Sequence, residues 1–190
     1  MLSALIMAGG KARRMGGLEK ALLKVCEKSM LERVVHAVSA CVQEFYVVVT
    51  ANTPHTSEFC KKRGWSVVQT SAKGFVEDVQ EALEKLGFEC ALVVCSDLPF
   101  LSSPTVNEFL RAWEESKKRS AALYTTREYL ETLGVKARTP LVAVGVNVIP
   151  RGSRAFDEHR HIVQKLDVLN VNTKKELELA RLLCQTKKNE

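Results

Sequence analysis

The sequence from Ala8 to Lys20 is AGGKARRMGGLEK, and it directly follows a short apolar run, Leu2–Met7. An apolar run of this length that ends at glycines is typical of a buried strand. In an open α/β sheet, ligands bind beyond the carboxyl ends of the strands, which is where a loop after the first strand lies. The stretch holds four glycines and four cations, namely Lys11, Arg13, Arg14 and Lys20. It therefore predicts a loop that binds an anion such as a phosphate chain.

The spacing of this loop excludes two familiar phosphate-binding motifs. It contains neither the G-x-x-x-x-G-K-[ST] sequence of a P-loop nor the G-x-G-x-x-G dinucleotide fingerprint. Glycines still allow backbone N–H groups to turn toward a phosphate chain, and the cations would neutralise it. Because neighbouring cations repel one another unless a negative group lies among them, the loop favours a bound anion over a free surface turn.

Predicted strands and helices alternate along the rest of the chain. The runs that predict strands are Leu2–Met7, Phe45–Thr50, Trp65–Val68, Cys90–Cys95, Ala121–Thr125 and Leu141–Ile149. Apolar residues at helical spacing predict helices over residues 30–42 and 76–86. A third helix is predicted to start at the N-cap Ser103, before Pro104, and a fourth after a capping box of Thr173 and Glu176. This alternation predicts an α/β fold, a three-layer sandwich with a mostly parallel sheet. No linker divides the 190 residues, so one domain is predicted over residues 1–190.

Composition excludes several classes of protein. With 46% hydrophobic and 26% charged residues the chain is globular, and no apolar run approaches the ~18 residues of a membrane span. The net charge of +6 indicates an anionic partner, but 6% aromatic residues and no basic helix face argue against nucleic acid. The six cysteines form no C-x-x-C pair. We therefore expect reduced, mostly buried thiols in a cytoplasmic protein without a secretory signal.

The first loop resembles the signature of the nucleotidyltransferase superfamily, A-G-G-x-x-x-R-M-G with a lysine a few residues on. Here it consists of Ala8-Gly9-Gly10, Arg14-Met15-Gly16 and Lys20. The loop itself is similar to that of molybdenum cofactor guanylyltransferases. Four later segments resemble archaeal adenosylcobinamide-phosphate guanylyltransferases: NTPHTSEF (52–59), SAKGFVEDV (71–79), VAVGVNVIP (142–150) and LNVNTKKELELARLL (169–183). Thr70 stands where the molybdenum branch usually has an aspartate, which favours the cobinamide branch.

The resemblance implies a Rossmann-like nucleotidyltransferase fold and a reaction. The phosphate of adenosylcobinamide phosphate attacks the α-phosphorus of GTP, which gives adenosylcobinamide-GDP and pyrophosphate in cobalamin biosynthesis. No covalent enzyme intermediate is implied, so the protein positions the reactants and stabilises charge. Lys11 and Arg14 would hold the β- and γ-phosphates, and Lys20 would reach the α-phosphate. The resemblance also implies a homodimer.

Asp97 is the predicted metal ligand. It follows the apolar run Cys90–Cys95, at the same predicted sheet edge as the first loop. Mg²⁺ is usually held by one or two carboxylates plus substrate phosphates, and in the superfamily a strand-end aspartate of this kind holds the metal. We therefore expect Asp97 to be a catalytic residue and an Mg²⁺ ligand. The alternative is a turn-forming aspartate before Leu98-Pro99.

Other GTP contacts are expected from the loop backbone and from later strand ends. The candidates besides Lys11, Arg14, Lys20 and Asp97 are Ala8, Gly9, Gly10, Asn52, Ser71, Lys73, Gly74, Gly145 and Asn147. Asn147 is a polar residue in an apolar strand and needs a partner, and Gly145 permits close approach of a ligand. Glu77 and Asp78 fall in the first turn of a helix, where the helix dipole alone favours acidic residues.

Two questions stay open at this point. The polar stretch Thr126–Pro140 is either a connecting loop or a lid over the second substrate. The loop also suits guanylyl transfer to molybdopterin, nucleotidyl transfer to a sugar or polyol phosphate, or a non-catalytic GTP-binding protein. The joint presence of Lys11, Arg14, Lys20 and Asp97 favours an enzyme.

Overall fold

The computed structural model describes residues 2–10, 19–153 and 158–186. Its strands are β1 (Ala4–Met7), β2 (Lys24–Val25), β3 (Lys28–Ser29), β4 (Phe45–Thr50), β5 (Val67–Thr70), β6 (Cys90–Cys95), β7 (Ser120–Thr126), β8 (Leu141–Pro150) and β9 (Glu158–Ile162). Its α-helices are α1 (Met30–Ser39), α2 (Pro54–Lys62), α3 (Phe75–Leu86), α4 (Ser103–Ser116), α5 (Arg127–Thr132) and α6 (Lys174–Thr186). Single turns of 3₁₀ helix lie at Lys20–Leu22 and Leu166–Val168.

One large sheet organises the described part of the chain, with strand order β5-β4-β1-β6-β8-β7-β9, while β2 and β3 form a separate hairpin. β1 runs parallel to β4 and β6, β4 to β5, and β7 to β9. Among the described strands of this sheet only β8 runs antiparallel to its neighbours, β6 and β7. The predicted mostly parallel sheet is therefore confirmed. In its register Met7 pairs with both Val48 and Cys95, so the carboxyl ends of three strands meet at one edge.

Helices cover the sheet on both faces because successive residues of a strand point to opposite sides. In β1, Ile6 packs in a cluster with residues of α1 and α4, such as Leu31 and Phe109. Its neighbour Leu5 packs on the other face, in a cluster with Leu83 of α3. All four of these side chains are fully buried. This arrangement confirms the predicted three-layer α/β sandwich.

One of the two predicted helix starts is confirmed, and the other is shifted by one residue. The predicted capping box of α6 is present: the Thr173 N–H donates to Glu176 Oε2 at 2.8 Å, and the Glu176 N–H to Thr173 Oγ1 at 3.2 Å. For α4 the N-cap is Ser102 rather than the predicted Ser103. Ser103 lies inside the first turn, and its hydroxyl donates to the carbonyl of Ala37 at 2.9 Å.

The stretch 126–140, left open as a loop or a lid, contains helix α5. The Thr126 hydroxyl caps this helix by accepting from the Tyr129 N–H at 3.2 Å, and Leu130 is buried. The short strand β9 was not predicted, because its sequence EHRHI lacks a run of apolar residues. Among the helices that the structure describes, none is both long and apolar enough to cross a membrane.

The cysteines depart from the expectation that all of them are reduced. Cys26 and Cys184 form a disulfide, although 158 positions separate them, and their Cα atoms lie 6.2 Å apart. The fold brings them together, which the spacing in the sequence does not reveal. Within the described ranges the other four cysteines are free. Burial raises the pKa of Cys60 and of Cys90 to about 11, so both thiols stay protonated at neutral pH.

Candidate active site

A cleft of about 560 Å³ opens at the sheet edge where β1, β4, β5 and β6 end. Eight of the predicted site residues line it: Ala8, Gly9, Gly10, Lys20, Asn52, Lys73, Gly74 and Asp97. They come from five separate parts of the chain, and the parallel register of the strands places their ends side by side. The cleft therefore lies where open α/β sheets bind their ligands.

The first residues of the glycine-rich loop are fixed to the end of β4. The Ala8 N–H donates to the Val48 carbonyl at 2.8 Å, and the Thr50 hydroxyl donates to the Gly9 carbonyl at 2.8 Å. A Cβ on Gly9 would lie 2.5 Å from Thr50 Cγ2, so only glycine fits this approach. Lys11 and Arg14 lie outside the described residues, and their phosphate contacts stay predictions.

The far end of the loop is fixed by Glu19. Its carboxylate accepts from the backbone N–H groups of His55 and Thr56, at 2.8 and 2.5 Å, in the first turn of α2. The N-cap residue of that helix, Thr53, makes no capping hydrogen bond with its own side chain. Glu19 thus satisfies N–H groups that would otherwise lack partners. This contact determines where the next residue, Lys20, enters the cleft.

Lys20 joins two sides of the cleft. Its ammonium group forms an ion pair with Asp97 Oδ2 and donates to Asn172 Oδ1 at 3.1 Å. The Asp97 carbonyl accepts from the Val171 N–H at 2.9 Å, which holds the segment carrying Asn172 against the site. Asn172 is not among the site residues predicted from the sequence, although it lies in the segment 169–183 that resembles the cobinamide branch.

The floor of the cleft also contains the Cys95 thiol. Burial raises the pKa of Cys95 to about 12, and the negative charge of Asp97 adds to the effect. The thiol therefore stays protonated and is a poor nucleophile. This agrees with chemistry that needs no covalent enzyme intermediate.

Comparisons with known proteins identify the family. Residues 4–163 match the model of the MobA-like NTP transferase domain. The chain belongs to the MobA-like NTP transferase family. Adenosylcobinamide-phosphate guanylyltransferase of Methanocaldococcus jannaschii is 32% identical over 198 residues, which cover 97% of this chain and 98% of that protein. Molybdenum cofactor guanylyltransferase of Shewanella sp. (strain W3-18-1) is 27% identical, covering 90% of this chain and 91% of its own.

Solved structures confirm the nucleotidyltransferase fold. Molybdopterin-guanine dinucleotide biosynthesis protein A from Archaeoglobus fulgidus matches with a TM-score of 0.69 at 17% identity, over 97% of this chain and all of that one. A CMP:2-keto-3-deoxy-manno-octonic acid synthetase complexed with CTP matches with a TM-score of 0.72 at 16% identity, over 97% and 98% of the two chains.

Three residues that are predicted to contact GTP do not line the cleft: Ser71, Gly145 and Asn147. The Ser71 N–H donates to Glu81 Oε2 at 2.9 Å. Gly145 has φ +91° and packs behind Cys95, where a Cβ would lie 2.8 Å from the sulfur. Asn147 lines a second cavity of about 370 Å³, between α3 and the strands β7–β9. The GTP contacts of Ser71, Gly145 and Asn147 stay predictions.

Asp97 has the properties of a cation ligand. It is 8% exposed, and its Oδ1 atom is buried without a hydrogen-bond partner among the residues described. An unpaired carboxylate oxygen suits Mg²⁺, which prefers oxygen ligands. The described residues contain no group of three or more acidic, histidine or cysteine side chains able to hold a metal. A cation at Asp97 would therefore take most of its ligands from phosphates and water.

Proposed function

We propose that this protein is a guanylyltransferase that transfers GMP from GTP to adenosylcobinamide phosphate, with release of pyrophosphate, in cobalamin biosynthesis. The observation that carries the proposal is the contact of Lys20 with Asp97 and Asn172 beside the glycine-rich loop. The contact holds a cation in the cleft, where it can stabilise charge on a phosphate, next to a carboxylate that can bind Mg²⁺. The acceptor is taken from the M. jannaschii relative, which matches nearly the whole chain.

The residues of the cleft suit an in-line displacement at the α-phosphorus. A phosphate oxygen of the acceptor forms the new bond to phosphorus, and the bond to the oxygen bridging the α- and β-phosphates breaks. The electron pair leaves with pyrophosphate. Lys20, whose ammonium group is held by Asp97 and Asn172, offsets the negative charge that develops on the α-phosphate. Mg²⁺, held by Asp97 and the phosphates, would neutralise charge on the triphosphate.

The acceptor phosphate supplies its own nucleophile, so the protein needs no general base for this step. The Cys95 thiol, which lines the cleft, stays protonated and therefore does not compete with the acceptor phosphate as a nucleophile. Gly9 and Gly10 line the cleft, and we expect their backbone N–H groups to bind the triphosphate. A homodimeric state and a cytoplasmic location, with no nucleic-acid partner, belong to the same proposal.

Molybdopterin is the second acceptor to consider. Two of the Shewanella molybdenum cofactor guanylyltransferases match over 91% of their own length. Thr70, which lines the cleft, departs from the aspartate that the resemblance to that branch implies at this position. The M. jannaschii relative is also more similar to this chain than the Shewanella sp. (strain W3-18-1) protein, at 32% against 27% identity. Cobinamide phosphate is therefore the acceptor that the sequence favours.

The test is an acceptor-dependent release of pyrophosphate. The purified protein is incubated with GTP, Mg²⁺ and either adenosylcobinamide phosphate or molybdopterin, and the products are identified by mass spectrometry. We expect pyrophosphate and adenosylcobinamide-GDP in the first reaction only. Unphosphorylated adenosylcobinamide is the matched control, since it lacks the attacking phosphate. Turnover with molybdopterin alone would reassign the acceptor, and no turnover with either would refute the enzymatic proposal.

A further inference from the structure

The wall of the cleft contains a second acidic side chain, Asp78 of α3, that the reaction described above does not use. Asp78 is 8% exposed, and its Oδ1 atom is buried without a hydrogen-bond partner among the described residues. The same lining includes Thr70 and Gly74 of the connection between β5 and α3, and the Asp78 N–H donates to the Gly74 carbonyl at 2.8 Å. The other acidic residue of the lining, Asp97, is paired with Lys20.

A carboxylate in this position is costly unless donors reach it. Burying an acidic group with an unpaired oxygen destabilises the folded protein, because the lost hydration is not replaced. The dipole of α3 favours a negative charge in its first turn but supplies no hydrogen bond to this oxygen. Lys73 also lines the cleft, but no ion pair joins it to Asp78 among the described residues, and its side chain is exposed. The missing donors therefore point to a ligand.

The connection between β5 and α3, which contributes Ala72, Lys73 and Gly74 to the cleft lining, is fixed by hydrogen bonds. The Ser71 N–H is bound by Glu81 of α3, at 2.9 Å, and Lys85 of the same helix donates to the Gln69 carbonyl at 2.7 Å. Gly74 has φ +151°, and a Cβ there would lie 2.5 Å from Glu77 Oε2. The connection is thus fixed by contacts with its own helix, and it presents Asp78 at the wall without a ligand being needed to form it.

We propose that Asp78 selects the base of the nucleotide, by accepting hydrogen bonds from the N1–H and the 2-amino group of guanine. Guanine carries these two donors side by side, and a carboxylate offers two acceptor oxygens. Adenine presents an unprotonated ring nitrogen at the same position, which repels a carboxylate. The inference rests on the proposed function, since it assumes that the triphosphate lies at Lys20 and the base at the opposite end of the cleft.

The test compares four nucleotides with the wild-type protein and with Asp78→Asn, by calorimetric titration in the presence of Mg²⁺. ITP lacks the 2-amino group, XTP replaces it with a carbonyl oxygen, and ATP has the adenine edge. For the wild type we expect GTP to bind about 10- to 100-fold more tightly than ITP, the range for a hydrogen bond to a charged acceptor. In D78N the side-chain amide can donate to the xanthine carbonyl. XTP should therefore gain affinity while GTP loses a similar factor.

Glu77→Gln is the matched control, because Glu77 is the neighbouring acidic residue, is exposed and does not line the cleft. It should leave all four affinities unchanged. Gained XTP binding cannot arise from misfolding, and thermal melting of D78N checks its stability. Equal affinities of the wild type for ITP and GTP overturn the inference, and this result does not depend on whether D78N folds. An unchanged ratio of GTP affinity to XTP affinity in folded D78N also overturns it. If guanylyl transfer still occurs, only the assignment of Asp78 fails; if no nucleotide binds, the proposed function fails with it.

Discussion

Lys20 and Asp97 lie 77 positions apart in the sequence, yet their side chains form an ion pair in the floor of the cleft. Two separate features bring them together. Glu19 fixes the end of the glycine-rich loop on the first turn of α2, and the pairing of Met7 with Cys95 aligns the ends of β1 and β6. The pair is thus formed by the fold itself. A substrate phosphate would enter a site in which the cation already has its orientation.

Removal of this cation should abolish most of the turnover. We expect Lys20→Ala to lower the rate of pyrophosphate release by ~10²–10³, the usual effect of losing one preorganised contact to developing charge. The fold should be retained, because the Lys20 side chain is 25% exposed and packs at the surface of the cleft. Lys24→Ala is the matched control, since Lys24 is exposed and outside the cleft lining. Turnover of K20A close to that of K24A would remove Lys20 from the catalytic residues.

Substitution of Asp97 should change the response to magnesium. Asp97→Asn keeps the shape of the side chain but removes the charge that attracts a cation and that pairs with Lys20. We therefore expect a higher Mg²⁺ concentration for half-maximal turnover and a lower maximal rate. The measurement is pyrophosphate release over a series of Mg²⁺ concentrations. Glu58→Gln is the control, because Glu58 is an exposed acid. An unchanged Mg²⁺ dependence in D97N would contradict a metal role.

The contact between Gly9 and Thr50 allows a test with a compensating change. Gly9→Ala should weaken GTP binding and lower the melting temperature, because the new Cβ would lie 2.5 Å from Thr50 Cγ2. Thr50→Ser removes that methyl group but keeps the hydroxyl that donates to the Gly9 carbonyl. The double variant should therefore recover part of both losses, since the Thr50 backbone N still lies 3.3 Å from the new atom. No recovery in calorimetry or melting would show that the clash is not the cause.

The sequence predicted those elements whose patterns are local. Strands Phe45–Thr50 and Cys90–Cys95 have the predicted bounds, because continuous apolar runs identify strands that are covered on both faces. Lys20 and Asp97 both follow strands that end at the same edge of the sheet, so the topology brings both residues to one cleft. Strand β9 was missed because an edge strand with the sequence EHRHI has no apolar period to detect.

The missed parts of the candidate site depend on tertiary packing. Asn172 reaches Lys20 because the segment around Val171 is bound to the Asp97 carbonyl, a contact between residues 74 positions apart that no spacing rule contains. Asp78 has the sequence pattern of an ordinary first-turn acid, and only its burial and its unpaired oxygen distinguish it. Asn147 is predicted to contact GTP and lines another cavity, so that contact stays a prediction.

Glu81 links the stability of the β5–α3 connection to pH. Its hydrogen bond with Lys85, followed by those with the Ser71 side chain and the Ser71 N–H, lowers the pKa of Glu81 from 4.5 to about 2. Because the folded state favours the charged form, Glu81 contributes stability that is fully present above about pH 4.5. That contribution is lost as the pH falls toward 2, where the carboxylate becomes protonated in the folded state as well.

The variant Glu81→Gln removes this contribution at every pH. Its melting temperature should lie below that of the wild type at about pH 7, and the difference should shrink between about pH 4.5 and pH 3. Glu84→Gln, an exposed acid on the same helix whose side chain lies outside this contact, serves as the control. Added salt should reduce only part of the difference at neutral pH, since the hydrogen bond to the Ser71 N–H does not depend on the charge of Lys85. A difference that stays constant down to about pH 3 would show that the charge of Glu81 does not hold the connection.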